Sequence, residues 1–304
     1  MNTLPVNPRI AVIILTVNQR EQTLRCLEHL RADHDTAQDF SITVWDNGSH
    51  DDTAAAIRKA DPATTVLISE TNLGVAGGRN AAAKAVIERN NPDFLLFLDN
   101  DMAVCRGFVG ALAAPFTGEN GAAIGQTQAK LRLSDEPERL NDGGGCHIQF
   151  WLGRTRPVGF GERDRGQFDA PAPCQACCGG AMMVRTDLFV ELGGFDEMFN
   201  PFGPEDLDFS LRLQKRGYEA WYIPEAVAYH DVNHTVGAGY SEDYAALRSR
   251  HWLHLMRRHA SALDWIGFVV IGMPAIALRV LLREGRKRNL GALRGLIRGA
   301  LGRK

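Results

Sequence analysis

The sequence predicts an α/β fold, a mixed sheet flanked by helices. Short aliphatic runs alternate with helical patterns over the first hundred residues, and each run ends in a polar loop. Continuous apolar runs are typical of parallel strands that are covered on both faces. The length allows such a fold, because a chain of 304 residues that is 45% hydrophobic can bury a large core.

Strands and helices alternate as expected for βαβ units. The first strands are predicted at residues 10–17, 42–45, 66–69 and 94–98. Helices are predicted between them, around the leucines spaced three residues apart from Leu24 to Leu30 and over the alanine-rich residues 74–89. Later elements are a helix at 106–116, strands at 122–126, 147–151 and 179–184, and a helix at 186–192. Residues 132–145 and 153–166 lack periodicity, so we expect mobile loops there, the second of them a hypothetical flap.

Ligands of open α/β sheets bind beyond the carboxyl ends of the parallel strands. The loops at 16–18, 46–49, 70–78 and 99–101 should therefore line one crevice. The glycine-rich loop before the 74–89 helix is followed by Arg79, a combination suited to phosphate, although it also fits an ordinary glycine-rich helix start with a surface arginine. The candidate binding residues in and beside these loops are Thr16, Asn18, Asp46, Asn72, Gly74, Arg79, Asp99 and Asn100.

The apolar strand at 94–98 stops at two carboxylates, Asp99 and Asp101. Side chains alternate along an extended backbone, so both carboxylates can face one side and share a divalent cation while Asn100 turns away. An Asn/Asp turn after a strand is the alternative interpretation.

A second acidic cluster, Glu205, Asp206 and Asp208, follows Pro204. Proline fits the first position of a helix, and apolar pairs four residues apart continue that helix to Gly217. Acidic residues in the first turn complement the helix dipole, which explains one or two of them. Alternatively, one carboxylate lies near the crevice and takes a proton from an incoming hydroxyl.

Two histidines, His230 and His234, follow the extended segment predicted at 222–229. A histidine at a strand end is either a packed or solvated side chain or the completion of a metal site. The sequence leaves both alternatives open.

Composition and charge restrict the function classes. The six cysteines are scattered, so reduced thiols are expected, and Cys174, Cys177 and Cys178 lack the second Cys/His pair of a zinc finger. Eight basic residues and one acidic residue lie from Arg283 onward, net +7, which leaves −9 for residues 1–282. An acidic body with one short basic tail argues against nucleic-acid binding.

The carboxyl-terminal segment is expected to associate with a membrane surface. A helix is predicted at 241–259, followed by an apolar stretch at 265–282 that Pro274 and Arg279 interrupt. This stretch is marginal for spanning a bilayer and better suits an interfacial or re-entrant helix, with the basic tail on anionic lipid; a helix packed on the catalytic domain is the alternative. No signal peptide is recognised at the start, so we expect a cytoplasmic protein.

Four blocks in order resemble family 2 glycosyltransferases, in particular their rhamnosyltransferase-like branch. The blocks are residues 44–49 (VWDNGS), residues 72–80 (NLGVAGGRN), residues 99–101 (DND), and residues 193–196 (GGFD) continuing to residues 205–208 (EDLD). The resemblance covers about residues 8–235. It implies a GT-A fold over residues 1–240, with a helical extension at 241–304, and a nucleotide-diphospho-sugar donor.

The resemblance also implies roles for individual residues. Asp46 resembles the residue that reads the nucleobase, Asp99 the first Asp of the DxD motif, and Asp101 the DxD ligand of Mn²⁺ or Mg²⁺. Asp206 resembles the general base of an inverting transferase, with Glu205 and Asp208 as alternatives. His230 resembles a histidine that completes the metal shell, although His234 also fits that position.

The implied reaction transfers a sugar from a dTDP- or UDP-sugar, dTDP-rhamnose being one candidate, to a glycan or a polyprenyl-linked acceptor. Such a protein would work at the cytoplasmic face of the inner membrane, in cell-envelope polysaccharide synthesis. A sugar nucleotidyltransferase is the alternative enzyme, although residues 13–20 lack its glycine-rich loop with a nearby Lys or Arg. A non-catalytic nucleotide-sugar-binding protein is the alternative without an enzyme activity.

Overall fold

The computed structural model of the chain describes residues 8–34, 39–232, 242–280, 282 and 290–301. The chain forms two compact units. The first comprises Met1–Cys146 and Pro157–Val232, and the second comprises His147–Arg156 and Asn233–Lys304. The second unit thus includes residues 147–156 together with the carboxyl-terminal helices.

Ten strands of the first unit form one mixed sheet, as predicted. Along the sheet the order is β10-β12-β6-β11-β4-β1-β2-β3, while β5 pairs with β12 and β7 with β6. The strands, including the separate β8-β9 pair, are β1 (Ile10–Thr16), β2 (Phe40–Asp46), β3 (Thr65–Ile68), β4 (Phe94–Asp99), β5 (Met102–Val104), β6 (Ile124–Leu133), β7 (Leu140–Asp142), β8 (Cys146–Gln149), β9 (Arg154–Pro157), β10 (Ala172–Cys174), β11 (Ala181–Arg185) and β12 (Glu219–His230). The neighbours β3, β2, β1 and β4 are parallel, and β11 is antiparallel to β4.

Helices cover both faces of this sheet. They are α1 (Arg20–His34), α2 (Thr53–Ala60), α3 (Gly74–Asn90), α4 (Phe108–Thr117), α5 (Thr186–Glu191) and α6 (Glu205–Lys215), with short 3₁₀ turns at Gly121–Ala123 and Glu197–Phe199. The central strand β1 is apolar from Ile10 to Leu15 because both of its faces are buried. Val12 and Ile14 belong to the core shared with α1, whereas Ala11 and Ile13 belong to the core shared with α3.

The strand β6 differs most from its prediction, because it begins at residue 124 and runs to 133 instead of covering 122–126. One face of this strand is polar although it is buried: Gln126 and Gln128 are 0% exposed and Lys130 is 2% exposed. Because polar residues occupy every second position, hydrophobic periodicity does not identify this strand as buried. Five short elements, α2, β5, β7, β9 and β10, were not predicted either, and β7 and β9 lie in segments that were predicted as loops.

The predicted flap, residues 153–166, belongs to the first unit from Pro157 onward, and this part is hydrogen-bonded to β6. Asp164 Oδ2 accepts hydrogen bonds from Lys130 Nζ at 3.3 Å and from Arg132 Nε at 3.1 Å. Lys130 also pairs with Asp169, and the Tyr222 hydroxyl donates to Phe168 O at 2.9 Å. A motion of this loop would have to break these buried contacts.

The second unit contains helices at Glu242–His259, Ala262–Gly267, Met273–Arg279 and Gly291–Ala300, a π-helical turn at Phe268–Gly272 and a 3₁₀ turn at Phe150–Leu152. Three glycines spaced four residues apart let the last helix approach the Glu242–His259 helix closely, since a Cβ at Gly291 or Gly295 would strike that helix's backbone. Arg294 pairs with Glu242 at 2.9 Å across the same contact. Within the described ranges, no helix combines the length and apolar content that a bilayer crossing needs.

Candidate active site

Arg79 joins the two acidic clusters. Its side chain, on α3, is 6% exposed. Nη2 donates to Asp99 Oδ1 at 2.7 Å and to Gly179 O at 2.9 Å, and Nη1 donates to Glu205 Oε1 at 3.3 Å. Since Asp99 ends β4 and Glu205 begins α6, carboxylates more than a hundred positions apart in sequence are bridged by one guanidinium.

The backbone of residues 177–180, which we call the active-site strap, connects the site residues. Besides the bond from Arg79 to Gly179 O, its amides and carbonyls make four contacts. Cys177 N donates to Ser210 Oγ at 3.1 Å, Cys178 N to Gln128 Oε1 at 2.5 Å and Gly179 N to Asp206 Oδ2 at 2.7 Å, while Gly180 O accepts from Asp99 N at 2.9 Å. A Cβ on Gly179 would lie 2.6 Å from Arg79 Nη1. The strap therefore needs glycine where it passes between the clusters.

Both carboxylate oxygens of Asp206 accept backbone hydrogen bonds. Oδ2 accepts from Gly179 N and Oδ1 from Leu207 N, each at 2.7 Å. Burial raises the pKa of Asp206 above its ordinary value, against the lowering effects of the Gly179 amide and of Arg79. An oriented carboxylate with a raised pKa is suited to accept a proton from a hydroxyl.

Glu205 is 4% exposed and lies beside Asp206. Burial and the neighbouring Asp206 charge raise the pKa of Glu205 to about 8, although Arg79 lowers it. Two adjacent buried carboxylates resist ionising together. At neutral pH we therefore expect one proton on the pair, held mainly by Glu205.

Asp208, the other residue weighed as a base, is 0% exposed and is tied elsewhere. Its Oδ2 accepts from Arg212 Nε at 2.7 Å, one turn along α6. Arg212 also donates to Leu192 O and Gly194 O, each at 2.7 Å. Asp208 thus anchors α6 to the Gly193-Gly194 turn, an arrangement that argues against its role as base.

Asp99, Asp101 and His230 form the candidate metal site. One ligand atom from each lies within 4.8 Å of the others. His230 Nε2 is buried, makes no hydrogen bond within the described residues, and lies 3.4 Å from Asp101 Oδ1. Two carboxylates and an imidazole nitrogen fit Mn²⁺ or Mg²⁺, so these residues suit the predicted cation. His234, the other histidine considered, lies outside the described residues.

Elsewhere in the described ranges, no other group of three His, Cys, Asp or Glu side chains has this spacing. Cys174 and Cys177 lie 3.8 Å apart at sulfur, and all six cysteines are free thiols. The zinc interpretation of Cys174, Cys177 and Cys178 therefore finds no support.

A cavity of about 310 Å³ opens beside the ends of β1 and β2. Its lining residues are Val17, Asn18, Gly48, His50, Glu70, Thr71 and Asn72. Asn18 shapes it from a left-handed backbone, φ 53°, by accepting from His50 N at 2.8 Å. Asp46 is buried, and its Oδ1 accepts a hydrogen bond from Ser49 N at 2.8 Å. This bond stabilises the loop that borders the cavity.

Thr16 and Asn100 face each other inside the protein. Asn100 Nδ2 donates to Thr16 Oγ1 at 3.2 Å, to Gln19 Oε1 at 2.9 Å and to Thr23 Oγ1 at 3.1 Å. Asn100 is thus turned away from the two aspartates, as strand alternation predicted. These contacts fasten the end of β4 to α1, and the predicted role of Thr16 and Asn100 in donor binding stays a prediction.

Three amides at the start of α3 donate to acceptors within the protein. Gly74 N donates to Asn72 Oδ1 at 2.8 Å, Val75 N to Pro201 O at 2.8 Å and Gly77 N to Asn200 Oδ1 at 3.3 Å. These donors are already paired within the protein. The predicted donor-binding role of Asn72 and Gly74 stays a prediction, and Arg79 is the side-chain donor that contacts the acidic clusters directly.

Sequence reasoning missed residues that organise the site through backbone contacts. Asn47 is 2% exposed and joins two loops, since its Nδ2 donates to Gly74 O at 3.1 Å and its Oδ1 accepts from Leu73 N at 3.1 Å. Gly179 contacts Asp206 from the first residue of a predicted strand, and Asn141 contacts His230 from a segment predicted as a loop. Asn47 lies in the VWDNGS block, so the sequence pointed to it, whereas nothing in the sequence indicated the contacts of Gly179 and Asn141.

Comparison with known families decides the classification. The family model described as Glycosyl transferase family 2 matches residues 11–193, more than half of the chain. The chain belongs to glycosyl transferase family 2. A second model, described as the N-terminal domain of galactosyltransferase, matches residues 163–236, which include the active-site strap and the Glu205–Asp206 pair.

Two relatives of this glycosyltransferase come from bacteria. An N-acetylglucosaminyltransferase of Azorhizobium caulinodans is 29% identical over 235 residues, and the match covers 75% of this chain and 56% of the relative. An N-acetylglucosaminyl-diphospho-decaprenol L-rhamnosyltransferase of Mycobacterium tuberculosis is 26% identical over 280 residues, which cover 86% of this chain and 90% of the relative.

Solved structures confirm the GT-A fold. The transferase GalNAc-T7, determined with UDP, GalNAc and Mn²⁺, has a TM-score of 0.66 at 16% identity, covering 83% of this chain and 48% of that structure. A mannosyltransferase of Pyrobaculum calidifontis, in complex with GDP-Man and Mn²⁺, has a TM-score of 0.59 at 15% identity, covering 99% of this chain and 88% of that structure.

Proposed function

We propose that the protein is an inverting, metal-dependent transferase that moves a sugar from a nucleotide-diphospho-sugar to an acceptor hydroxyl. One observation carries the proposal: the Arg79 guanidinium contacts both Asp99 and Glu205. The candidate cation ligands and the candidate base therefore line the same crevice. In this proposal the cavity at the ends of β1 and β2 holds the nucleoside part of the donor, because ligands of α/β sheets bind beyond the carboxyl ends of parallel strands.

In this proposal, Asp206 accepts the proton of the acceptor hydroxyl as its oxygen attacks the anomeric carbon. The bond from that carbon to the diphosphate breaks in the same displacement, which inverts the configuration and releases a nucleoside diphosphate. Both Asp206 oxygens are oriented by backbone amides, whereas Glu205 keeps its proton and leaves the charge to its neighbour. A cation bound by Asp99, Asp101 and His230 would stabilise the charge of the departing diphosphate.

The donor and acceptor are proposed from the relatives. The named rhamnosyltransferase and N-acetylglucosaminyltransferase suggest dTDP-rhamnose or a UDP-sugar as donor. The decaprenyl diphosphate in the mycobacterial relative's name favours a polyprenyl-linked acceptor in cell-envelope polysaccharide synthesis. Such a reaction would place this protein at the cytoplasmic face of the inner membrane.

A panel of nucleotide sugars tests the proposal. We expect one donor to bind in the presence of Mn²⁺ or Mg²⁺ and to hydrolyse slowly without acceptor, because the crevice then admits water as the nucleophile. Calorimetry and release of the nucleoside diphosphate measure the two effects. Asp101→Ala should abolish the metal dependence. Binding of no nucleotide sugar, or equal binding with and without metal in both proteins, would contradict the proposal.

We further propose that the second unit binds the membrane surface. Its segment 263–282 exposes several apolar side chains, among them Leu263 (78% exposed), Ile266 (60%), Val269 (56%), Val270 (66%) and Leu278 (56%). The sequence that follows is basic, with eight basic residues and one acidic residue from Arg283 onward. Apolar side chains beside basic residues favour an anionic bilayer.

Cosedimentation with anionic vesicles measures this binding. We expect the triple substitution Ile266→Ser, Val269→Ser and Val270→Ser to lower the bound fraction several-fold, since it removes three inserted apolar side chains. The matched control replaces exposed apolar residues of the first unit, Ile68→Ser with Val190→Ser, which are 54% and 58% exposed. Equal losses in both variants, or no binding by the unmodified protein, would refute the membrane surface.

A further inference from the structure

The three-residue strand β7 contacts the metal site on one face. It pairs antiparallel with β6, with Asp142 opposite Leu131. On this strand, Asn141 Oδ1 lies 3.0 Å from His230 Nδ1. Asp142, the next residue, uses its Oδ1 to accept from Gly144 N at 3.0 Å and Gly145 N at 2.7 Å, which fixes the end of the strand.

The contact between Asn141 and His230 determines which imidazole nitrogen carries hydrogen. A side-chain amide oxygen only accepts hydrogen bonds, so Nδ1 of His230 must be the donor. Nε2 is then the nitrogen that remains for another partner, and it is the one that lies 3.4 Å from Asp101 Oδ1. Histidines that bind metals commonly donate their second nitrogen to an oxygen in this way, which fixes the ring orientation and the tautomer.

We propose that Asn141 is a positioning residue that holds His230 with Nε2 directed at the cation site. The inference rests on the metal site of the proposed function and names a residue that neither the sequence pattern nor the family match singled out. Asn141 itself does not contact the cation or the donor in this proposal. Its effect is transmitted through the orientation of one imidazole ring.

Mn²⁺ affinity, measured by titration of the free-ion electron paramagnetic resonance signal, tests the inference without any catalysis. Loss of an outer partner of a metal-bound histidine typically costs about 10–100-fold in metal affinity, so Asn141→Leu should weaken Mn²⁺ binding by about that factor. Asn141→Asp keeps an oxygen acceptor and should restore binding to near the wild-type level. The control Asn120→Leu changes an exposed asparagine that precedes the Gly121–Ala123 turn before β6, and it should have no effect.

A second measurement separates a tautomer effect from misfolding. Long-range ¹H–¹⁵N spectra of His230 should show hydrogen on Nδ1 in the wild type and a mixture of tautomers in Asn141→Leu. Thermal unfolding checks that the variant is folded. If wild type and Asn141→Leu bind Mn²⁺ equally, the inference fails while the metal site stands. If the wild type binds no Mn²⁺ at all, the proposed metal dependence fails as well.

Discussion

Asp206→Asn is expected to lower kcat by about 10²–10⁴-fold, because general-base catalysis supplies a rate factor of about that size. The corresponding loss of barrier lowering is about 3–5 kcal/mol. The amide keeps an oxygen that can accept from one of the two backbone donors, so donor binding should remain within a few-fold of wild type. Single-turnover kinetics with the donor from the nucleotide-sugar panel, together with calorimetric donor binding, measure the two quantities separately.

Two neighbouring substitutions serve as controls for this assignment. Glu205→Gln resembles the protonated glutamate that the raised pKa predicts, so it should retain most of the turnover at neutral pH. Asp208→Asn weakens the pairing with Arg212 and should lower thermal stability more than the chemical step. Turnover of Asp206→Asn close to wild type, with a large loss in Glu205→Gln, would transfer the base role to Glu205.

The sequence predicted the parts of the fold that are governed by local patterns. β1 and β4 appear as continuous apolar runs because helices cover both faces, and α6 appears as pairs of apolar residues after Pro204. β6 was predicted too short because its polar face is buried against partners that are distant in sequence, such as Ser210 on α6 and Cys178 in the active-site strap. Hydrophobic periodicity carries no information on such partners.

The candidate site shows the same distinction. Acidic side chains at strand and helix ends could be picked out, because their chemistry is visible in the residue type. The backbone of the active-site strap and the contact from Asn141 to His230 are products of the tertiary fold. The same reason applies at the start of α3, where Val75 N and Gly77 N are paired by Pro201 and Asn200 from a loop more than a hundred residues away, partners that the local sequence does not indicate.

Above the Glu205 pKa of about 8, where that carboxylate is ionised, Arg79→Met should destabilise the protein by about 3–5 kcal/mol, the usual cost of removing one partner from a buried charged network. The side chains of Arg79 and Glu205 are each 6% exposed, and Gly179 O would lose its donor. Asp99 contributes less to this cost because its side chain is 39% exposed. The matched control is Arg20→Met, since Arg20 pairs with Asp52 at 2.9 Å on the surface, and this pair should be worth less than about 1 kcal/mol.

The loss in Arg79→Met should also depend on pH. Arg79 lowers the pKa values of Asp99, Glu205 and Asp206, so its stabilisation exists while these carboxylates are ionised and disappears as falling pH protonates them. Since burial raises all three pKa values above their ordinary range, with that of Glu205 at about 8, the difference between wild type and variant should shrink from mildly alkaline pH downward. Urea unfolding at several pH values measures it. A difference that stays constant with pH would show that Arg79 acts by packing alone and that the two acidic clusters do not share its charge.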